Sequence, residues 1–406
     1  MKNQNIICFY IVSIFLLANG AFATSIFMKL HMPFWRQLIW IIGLYFLFQK
    51  CRSVCSKDLN LFLSEHKQCF YWIVFLSILA IILYHFNLLR IIYAWWTYFS
   101  GIPFVIFPIL LRRSGWTEKK INLLFLSLGL FMSIGLIADY FSGGYFTQMF
   151  LLSQTKDLEG LLNDGRYCFL SEAPTTFGVY LSLCTAMSLR HFYSSNDFGS
   201  KTLAITSTLL CILGAWFTGS RQIVFVIIMT QTIIICYFSI IKRIHLFFVL
   251  GTIIISAILL GPKIKKMIYA DEAYQARYST ETISEDNRGK YWYEGFMYCI
   301  GDLNLKRIVF GEAVAFVQGQ KALANEAIGR HYENTFWSRM SEIGIIGLYL
   351  FLLPVVFYKK QRSISKSDSI IFGTVLLSFI FISYISPNGQ HQTTQMAIYI
   401  VVGLLI

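Results

Sequence analysis

Residues 203–241 read LAITSTLLCILGAWFTGSRQIVFVIIMTQTIIICYFSII. Two apolar runs flank the polar residues Thr218, Ser220, Arg221 and Gln222, and each run is long enough to cross a hydrocarbon layer of roughly 30 Å as a helix. The spacing predicts one helix near 203–219 and another near 222–241, joined by a tight turn around Gly219. Runs of the same kind recur near 5–23, 36–49, 70–87, 92–111, 121–141, 174–193, 244–261, 338–358, 369–386 and 396–406. A chain that is 56% hydrophobic and only 14% charged is too apolar for an ordinary soluble domain. The expected fold is an all-α polytopic membrane protein of about twelve transmembrane helices. The first run, which lacks a clear small-x-small cleavage site before Thr24, is read as a retained span.

Orientation follows from the basic residues of short loops. Lys50, Arg52, Lys57 and Lys67 fall in the second loop, Arg112, Arg113, Lys119 and Lys120 in the fourth, and Arg190 and Lys201 in the sixth. Lys242 and Arg243 mark the eighth, and Lys359, Lys360, Arg362 and Lys366 the tenth. All even-numbered loops then lie in the cytoplasm with both termini, and the long 262–337 interval lies outside, on the periplasmic or extracytoplasmic face. The net charge of +13 is thereby accounted for by topology. Nucleic acid is not an expected partner, because these cations are not gathered on one face. Three parts are expected: an N-terminal bundle of about nine helices at 1–261, a large periplasmic loop containing helices at 262–337, and C-terminal helices at 338–406.

The nine cysteines contain no CxxC pair, so neither a zinc site nor a disulfide framework is indicated. Cys168 and Cys299, near predicted outer loops, leave room for one bridge. No glycine-rich nucleotide loop, HExxH or GxSxG is present.

Chemistry is expected where polar residues collect on the outer side. In the TGSRQ turn, Gly219 permits a close approach, Ser220 is placed to cap the following helix, and the amides at that helix start favour an anion. Arg221 is therefore either an interfacial anchor or part of a phosphate site. Arg166 lies in another outer loop, DLEGLLNDGRYCFLSEAPTTFG. Arg288, after the capping-rich SEDN, is expected in the first turn of a loop helix with Trp292 one turn on. That pairing suits a sugar phosphate or a plain packing contact. Titratable groups crowd again in Arg330-His331-Tyr332-Glu333-Asn334, before a membrane helix. Glu333 is read as a helix cap or as a base with a raised pKa, and His331 as the rival base. Asp139, near the end of its span, is expected to face protein or water rather than lipid.

The combination resembles the O-antigen polymerase and ligase superfamily, the Wzy and WaaL type of bacterial polysaccharide enzymes. TGSRQ at 218–222, DNRGKYW at 286–292 and ENTFWSRMSEIGIIGLYLF at 333–351 match its outer Ser-Arg turn, the arginine of its large loop and the segment leading into the next helix. The resemblance implies a GT-C-like, metal-independent membrane glycosyltransferase of the bacterial inner membrane, with no cofactor. The implied reaction transfers a glycan from an undecaprenyl-pyrophosphate donor to the non-reducing end of a lipid-linked repeat unit. Arg221, Arg288 and Arg166 would hold the pyrophosphate, Glu333 or His331 would take the acceptor proton, and Tyr291, Trp292, Asn334 and Trp337 would contact sugar. Membrane lipid and a chain-length regulator are the implied partners. Ligases of the superfamily carry His-Asn where this chain has Glu333-Asn334, which favours a polymerase. A ligase acting on lipid A core and, further off, a flippase for lipid-linked oligosaccharide are the alternatives.

Overall fold

The computed structural model describes residues 101–113, 115–151, 162, 165–169, 177–241, 288–311, 335–360, 365–385 and 392–405, with isolated helical positions between 64 and 78. Among the described residues every regular element is a helix. A 3₁₀ turn at Ile102–Val105 leads into α1 (Ile106–Arg113), followed by α2 (Glu118–Phe141), α3 (Tyr145–Leu151), α4 (Phe177–Ser194), α5 (Phe198–Phe217) and α6 (Arg221–Ile241). From residue 288 on come α7 (Arg288–Phe296), a π turn (Met297–Gly301), α8 (Leu305–Phe310), α9 (Thr335–Ile343), α10 (Ile345–Lys360), α11 (Lys366–Ile385) and α12 (Gln392–Leu405).

Four of these, Glu118–Phe141, Phe198–Phe217, Arg221–Phe238 and Lys366–Tyr384, are long and apolar enough to cross a membrane. The chain is a helical membrane protein. Phe131, Ile134, Phe225 and Ile228 are exposed on these helices, as expected where lipid is the solvent and side chains gain nothing by turning inward. The predicted spans at 5–23, 36–49 and 244–261 lie outside the described residues.

The helix boundaries differ from the hydropathy reading for local reasons. Helix α5 begins at Phe198 because Asp197 caps it, its carboxylate accepting the Ser200 amide at 2.8 Å. That bond holds the Asp197 carboxyl below the usual carboxylate range. At α11 the Ser365 hydroxyl accepts the Asp368 amide at 3.1 Å, so this helix also starts before its apolar run. Of the span expected at 92–111, the described residues hold the 3₁₀ turn at Ile102–Val105 and α-helix from Ile106. The span expected at 338–358 is broken. Gly344 has φ +71°, and a Cβ there would lie 2.2 Å from the Val309 carbonyl oxygen, so α8 seats against the break between α9 and α10.

The described helices form two compact units. The first contains α2 to α6 and α11 as far as Ser378. Its centre is α4, buried at nearly every position and packed on α2, α5 and α6. Close approach comes from small residues: a Cβ at Gly129 would meet the Cys184 Cβ at 2.8 Å, and one at Gly214 would meet Ser133 at 2.9 Å. Some of the hydroxyls that come with such residues are satisfied within the helices. Ser182 donates to the Gly178 carbonyl at 2.8 Å and Ser188 to that of Cys184 at 2.9 Å. Between helices, Ser188 and Ser207 meet at 3.1 Å and Thr230 and Ser378 at 2.7 Å.

At one end of this unit Arg190 joins three helices. Its Nε donates to Asp368 Oδ1 at 2.7 Å, and its Nη1 to Glu118 Oε2 at 2.6 Å and Asn122 Oδ1 at 3.0 Å. The guanidinium also lies over the Phe372 ring, 5.9 Å from its centre. Arg190, read in the sequence only as a topology marker, ties α4 to α2 and α11.

The second unit contains the 3₁₀ turn, α1, α7 to α10, the remainder of α11, and α12. Helix α12 lies on the 3₁₀ turn, where a Cβ at Gly403 would meet the Val105 carbonyl oxygen at 2.3 Å. Arg112 donates to the Leu404 carbonyl at 2.7 Å, satisfying an open acceptor at the end of α12. Cys168 and Cys299 are both free and buried, so the bridge allowed by the sequence does not form.

Replacing Arg190 by alanine leaves Asp368 and Glu118 facing each other without a cation. The expected loss is about 2 kcal/mol, less than for a fully buried pair because Glu118 is half exposed. Thermal unfolding in detergent checks this: Arg190→Ala lowers the midpoint clearly, and Glu118→Gln lowers it much less.

Candidate functional site

The other end of the first unit carries the TGSRQ turn. Thr218 closes α5 by donating to the Ala215 carbonyl at 2.6 Å and accepts the Ser220 amide at 3.2 Å. Ser220 gives its carbonyl to the Ile223 and Val224 amides, at 3.1 and 3.3 Å, so Arg221 is the first residue of α6 as expected. Gly219 has φ +65°, and a Cβ there would lie 2.3 Å from the Gly165 carbonyl oxygen and 3.4 Å from the Arg166 Cα. Only a residue without a side chain lets the two backbones meet. The structure therefore brings the Arg166 loop onto the turn that starts the Arg221 helix, two segments more than fifty residues apart in the chain.

The 165–169 loop is held there by Asp139. This carboxylate is fully buried at the end of α2. It accepts the Phe146 and Thr147 amides at 2.9 and 3.0 Å, the Phe169 amide at 3.1 Å, and the Thr147 hydroxyl. Thr147 Oγ1 in turn accepts the Cys168 amide at 2.8 Å. The carboxylate thus caps α3 and anchors the loop. Phe169 adopts φ +45°, unusual for a bulky residue, and its ring fills the space over Gly135 between Phe131 and Phe146. Tyr140 packs on Tyr167 and Phe217, with ring centres 5.3 and 4.5 Å away. Burial first, and then the Asp139 charge, pushes the Cys168 thiol far up. It is protonated and no nucleophile.

The second unit holds the candidates from the 262–344 interval. Arg288 is the first residue of α7, matching the expected first turn. Further along α7, a Cβ at Gly295 would meet the Trp337 Cβ at 2.9 Å, and the Phe296 and Trp337 rings meet edge to face at 5.7 Å. Helix α7 thus packs on α9. Trp292 lies 5.0 Å from the Tyr384 ring, and Phe336 meets the same ring at 5.9 Å. Both tryptophans thus make ring contacts within the second unit. Tyr291 is half-buried on α7. His331, Glu333 and Asn334 lie outside the described residues, just before Thr335 opens α9.

Two features were not singled out from the sequence. Arg339, on α9, is buried. Its signal was present as an arginine within an otherwise inward-facing segment, Thr335, Ser338 and Met340 being buried around it. The other is the number of bonds converging on Asp139, made by amides that no side-chain pattern announces.

A cavity of about 610 Å³ opens at the Arg190 end of the first unit, lined by residues including Glu118, Asn122, Asp197 and Asp368. Its arginine is already neutralised by two carboxylates, which makes it a poor receptor for an anion. The TGSRQ end is the better candidate. Among the described residues no group of three or more His, Cys, Asp or Glu is arranged to hold a metal ion.

Gly219→Ala would strain a left-handed backbone, at roughly 1–2 kcal/mol, and also collide with the Gly165 carbonyl. Gly143→Ala, at φ +68° with nothing within 4 Å of its Cβ, bears only the conformational cost. The drop in detergent melting temperature should be larger for Gly219→Ala; equal drops would refute the close approach. No protein-family model matches the chain, and a search of characterised proteins returns no significant match.

Proposed function

We propose that the protein is a membrane polysaccharide polymerase, transferring a glycan from an undecaprenyl-pyrophosphate donor to a lipid-linked repeat unit. The observation that carries this reading is the seating of the Arg166 loop on the turn that starts the Arg221 helix. Two arginine-bearing segments and a helix N-terminus at one end of a membrane bundle suit a lipid-borne pyrophosphate. The resemblance of TGSRQ, DNRGKYW and ENTFWSR to the Wzy and WaaL type supplies the reaction. The proposal extends to about twelve spans in a GT-C-like arrangement, both termini in the cytoplasm and the arginines at the periplasmic face of the bacterial inner membrane.

In this reading the bond from the anomeric carbon to the pyrophosphate oxygen breaks while the acceptor hydroxyl oxygen bonds to that carbon. Negative charge grows on the departing lipid pyrophosphate, and Arg166 and Arg221 stabilise it through their planar forks. Arg288 contributes its cation from the first turn of α7. The acceptor proton passes to Glu333, with His331 as the rival base, and the products are the lengthened lipid-linked glycan and undecaprenyl pyrophosphate. Trp292, Trp337, Tyr291 and Asn334 would line the sugar path, the two tryptophans presenting whatever surface their packing leaves open.

Loss of either Arg221 or Arg288 to alanine should lower polymer formation by about 10²–10³-fold, as removal of one transition-state donor does. The lysine variants should recover little, because they keep the charge and lose the fork. The assay uses purified full-length protein and lipid-linked repeat in detergent with no gradient. Long-chain product in the alanine variants would sink the assigned roles, and absence of product from the intact protein would sink the polymerase. In cells, deletion should leave lipid A core capped by a single repeat; bare core would point to a ligase.

A further inference from the structure

We infer that Asp139 is a positioning residue for the anion-binding end of the first unit, setting the loop that presents Arg166 beside the Gly219 turn; this rests on the pyrophosphate role proposed for Arg166 and Arg221. A carboxylate near the end of a membrane span is costly unless its oxygens are occupied. Here both are: Oδ1 by the Phe146 and Thr147 amides, Oδ2 by the Phe169 amide and the Thr147 hydroxyl. The bonds connect three pieces of chain: the end of α2, the start of α3, and the 165–169 loop.

The loop residues on both sides of the anchor bear on the turn. At one end Phe169, in a left-handed conformation, is held by its amide on Asp139 and by its ring over Gly135. At the other end Gly165 touches the Gly219 backbone. Arg166 sits between these two fixed points, so its backbone has little freedom. Thr147 supplies a second tie, its hydroxyl donating to Asp139 and accepting from Cys168. Removal of the carboxylate would release the Phe169 amide, take away the hydroxyl's acceptor, and leave a strained residue without its restraint. The arginine would then be present but poorly aimed, which lowers affinity for an anion without altering the charge of the site's arginines.

Cys168 supplies a readout that does not depend on catalysis. It is fully buried within the anchored loop and free. Full-length protein in detergent is treated with N-ethylmaleimide, and modification of Cys168 is followed by mass spectrometry of its peptide in the wild type, Asp139→Asn, Thr147→Val and Arg166→Ala. Affinity for undecaprenyl pyrophosphate is measured on the same samples. The expected result is at least tenfold faster labelling of Cys168 in Asp139→Asn, with a smaller increase in Thr147→Val, which keeps the carboxylate.

Undecaprenyl pyrophosphate should bind about tenfold more weakly to Asp139→Asn and to Arg166→Ala. The double variant should be little worse than either single one, because both act through the same guanidinium. A merely structural role would lower the melting temperature and leave the affinity of the folded protein unchanged. Cys168 protected as in the wild type in both anchor variants overturns the inference. So does unchanged affinity in Asp139→Asn when Arg166→Ala binds weakly. Unchanged affinity in both, with Cys168 exposed, overturns it by removing the pyrophosphate reading beneath it, and so separates the two failures.

Discussion

Helix α4 is surrounded by α2, α5 and α6, and this enclosure is the constraint on which the first unit depends. In a bilayer, helices gain little by hiding apolar side chains from lipid, so they associate through close backbone approach and shape. Gly129 against Cys184 and Gly214 against Ser133 are the points where that approach is reached. Small residues bring hydroxyls with them, and the pairs Ser188–Ser207 and Thr230–Ser378 show them satisfied between helices without water. The packed core then makes each end of the bundle a place where charges are either neutralised or put to use.

The two ends resolve their charges differently. At one, Arg190 is bound by Asp368 and Glu118, and the result is a clamp on three helices. At the other, Asp139 is bound by three amides and a hydroxyl. A buried carboxylate satisfied by backbone fixes chain geometry, whereas one satisfied by arginine fixes only side chains. The difference explains why the second end can hold an irregular loop against a turn.

Much of this was legible in the sequence. The pair of apolar runs around TGSRQ located α5 and α6 to within a few residues, and Gly219 was read as a point of close approach, which it is. What it approaches was not legible, since contact between residue 219 and residue 165 is set by three-dimensional packing. Helix starts were displaced because a cap such as Asp197 or Ser365 precedes the apolar residues that hydropathy detects. The break at Gly344 was hidden within a continuous apolar run, and its cause, the Val309 carbonyl, lies on another helix. Asp139 was seen as a residue that avoids lipid; that it organises a loop follows from amides, which carry no signature of their own.

In the second unit the same logic bears on the 262–344 interval. Within it α7 begins at Arg288 and α9 at Thr335, and the two are packed through Gly295, Phe296 and Trp337. Between them the π turn and α8 are held as well, α8 against the break at Gly344. The residues expected to act chemically lie at those two helix starts: Arg288 opens the first helix, and Glu333 stands two residues before the second. Of the aromatic residues on α7, Trp292 and Phe296 meet the rings of Tyr384 and Trp337, whereas Tyr293 is exposed.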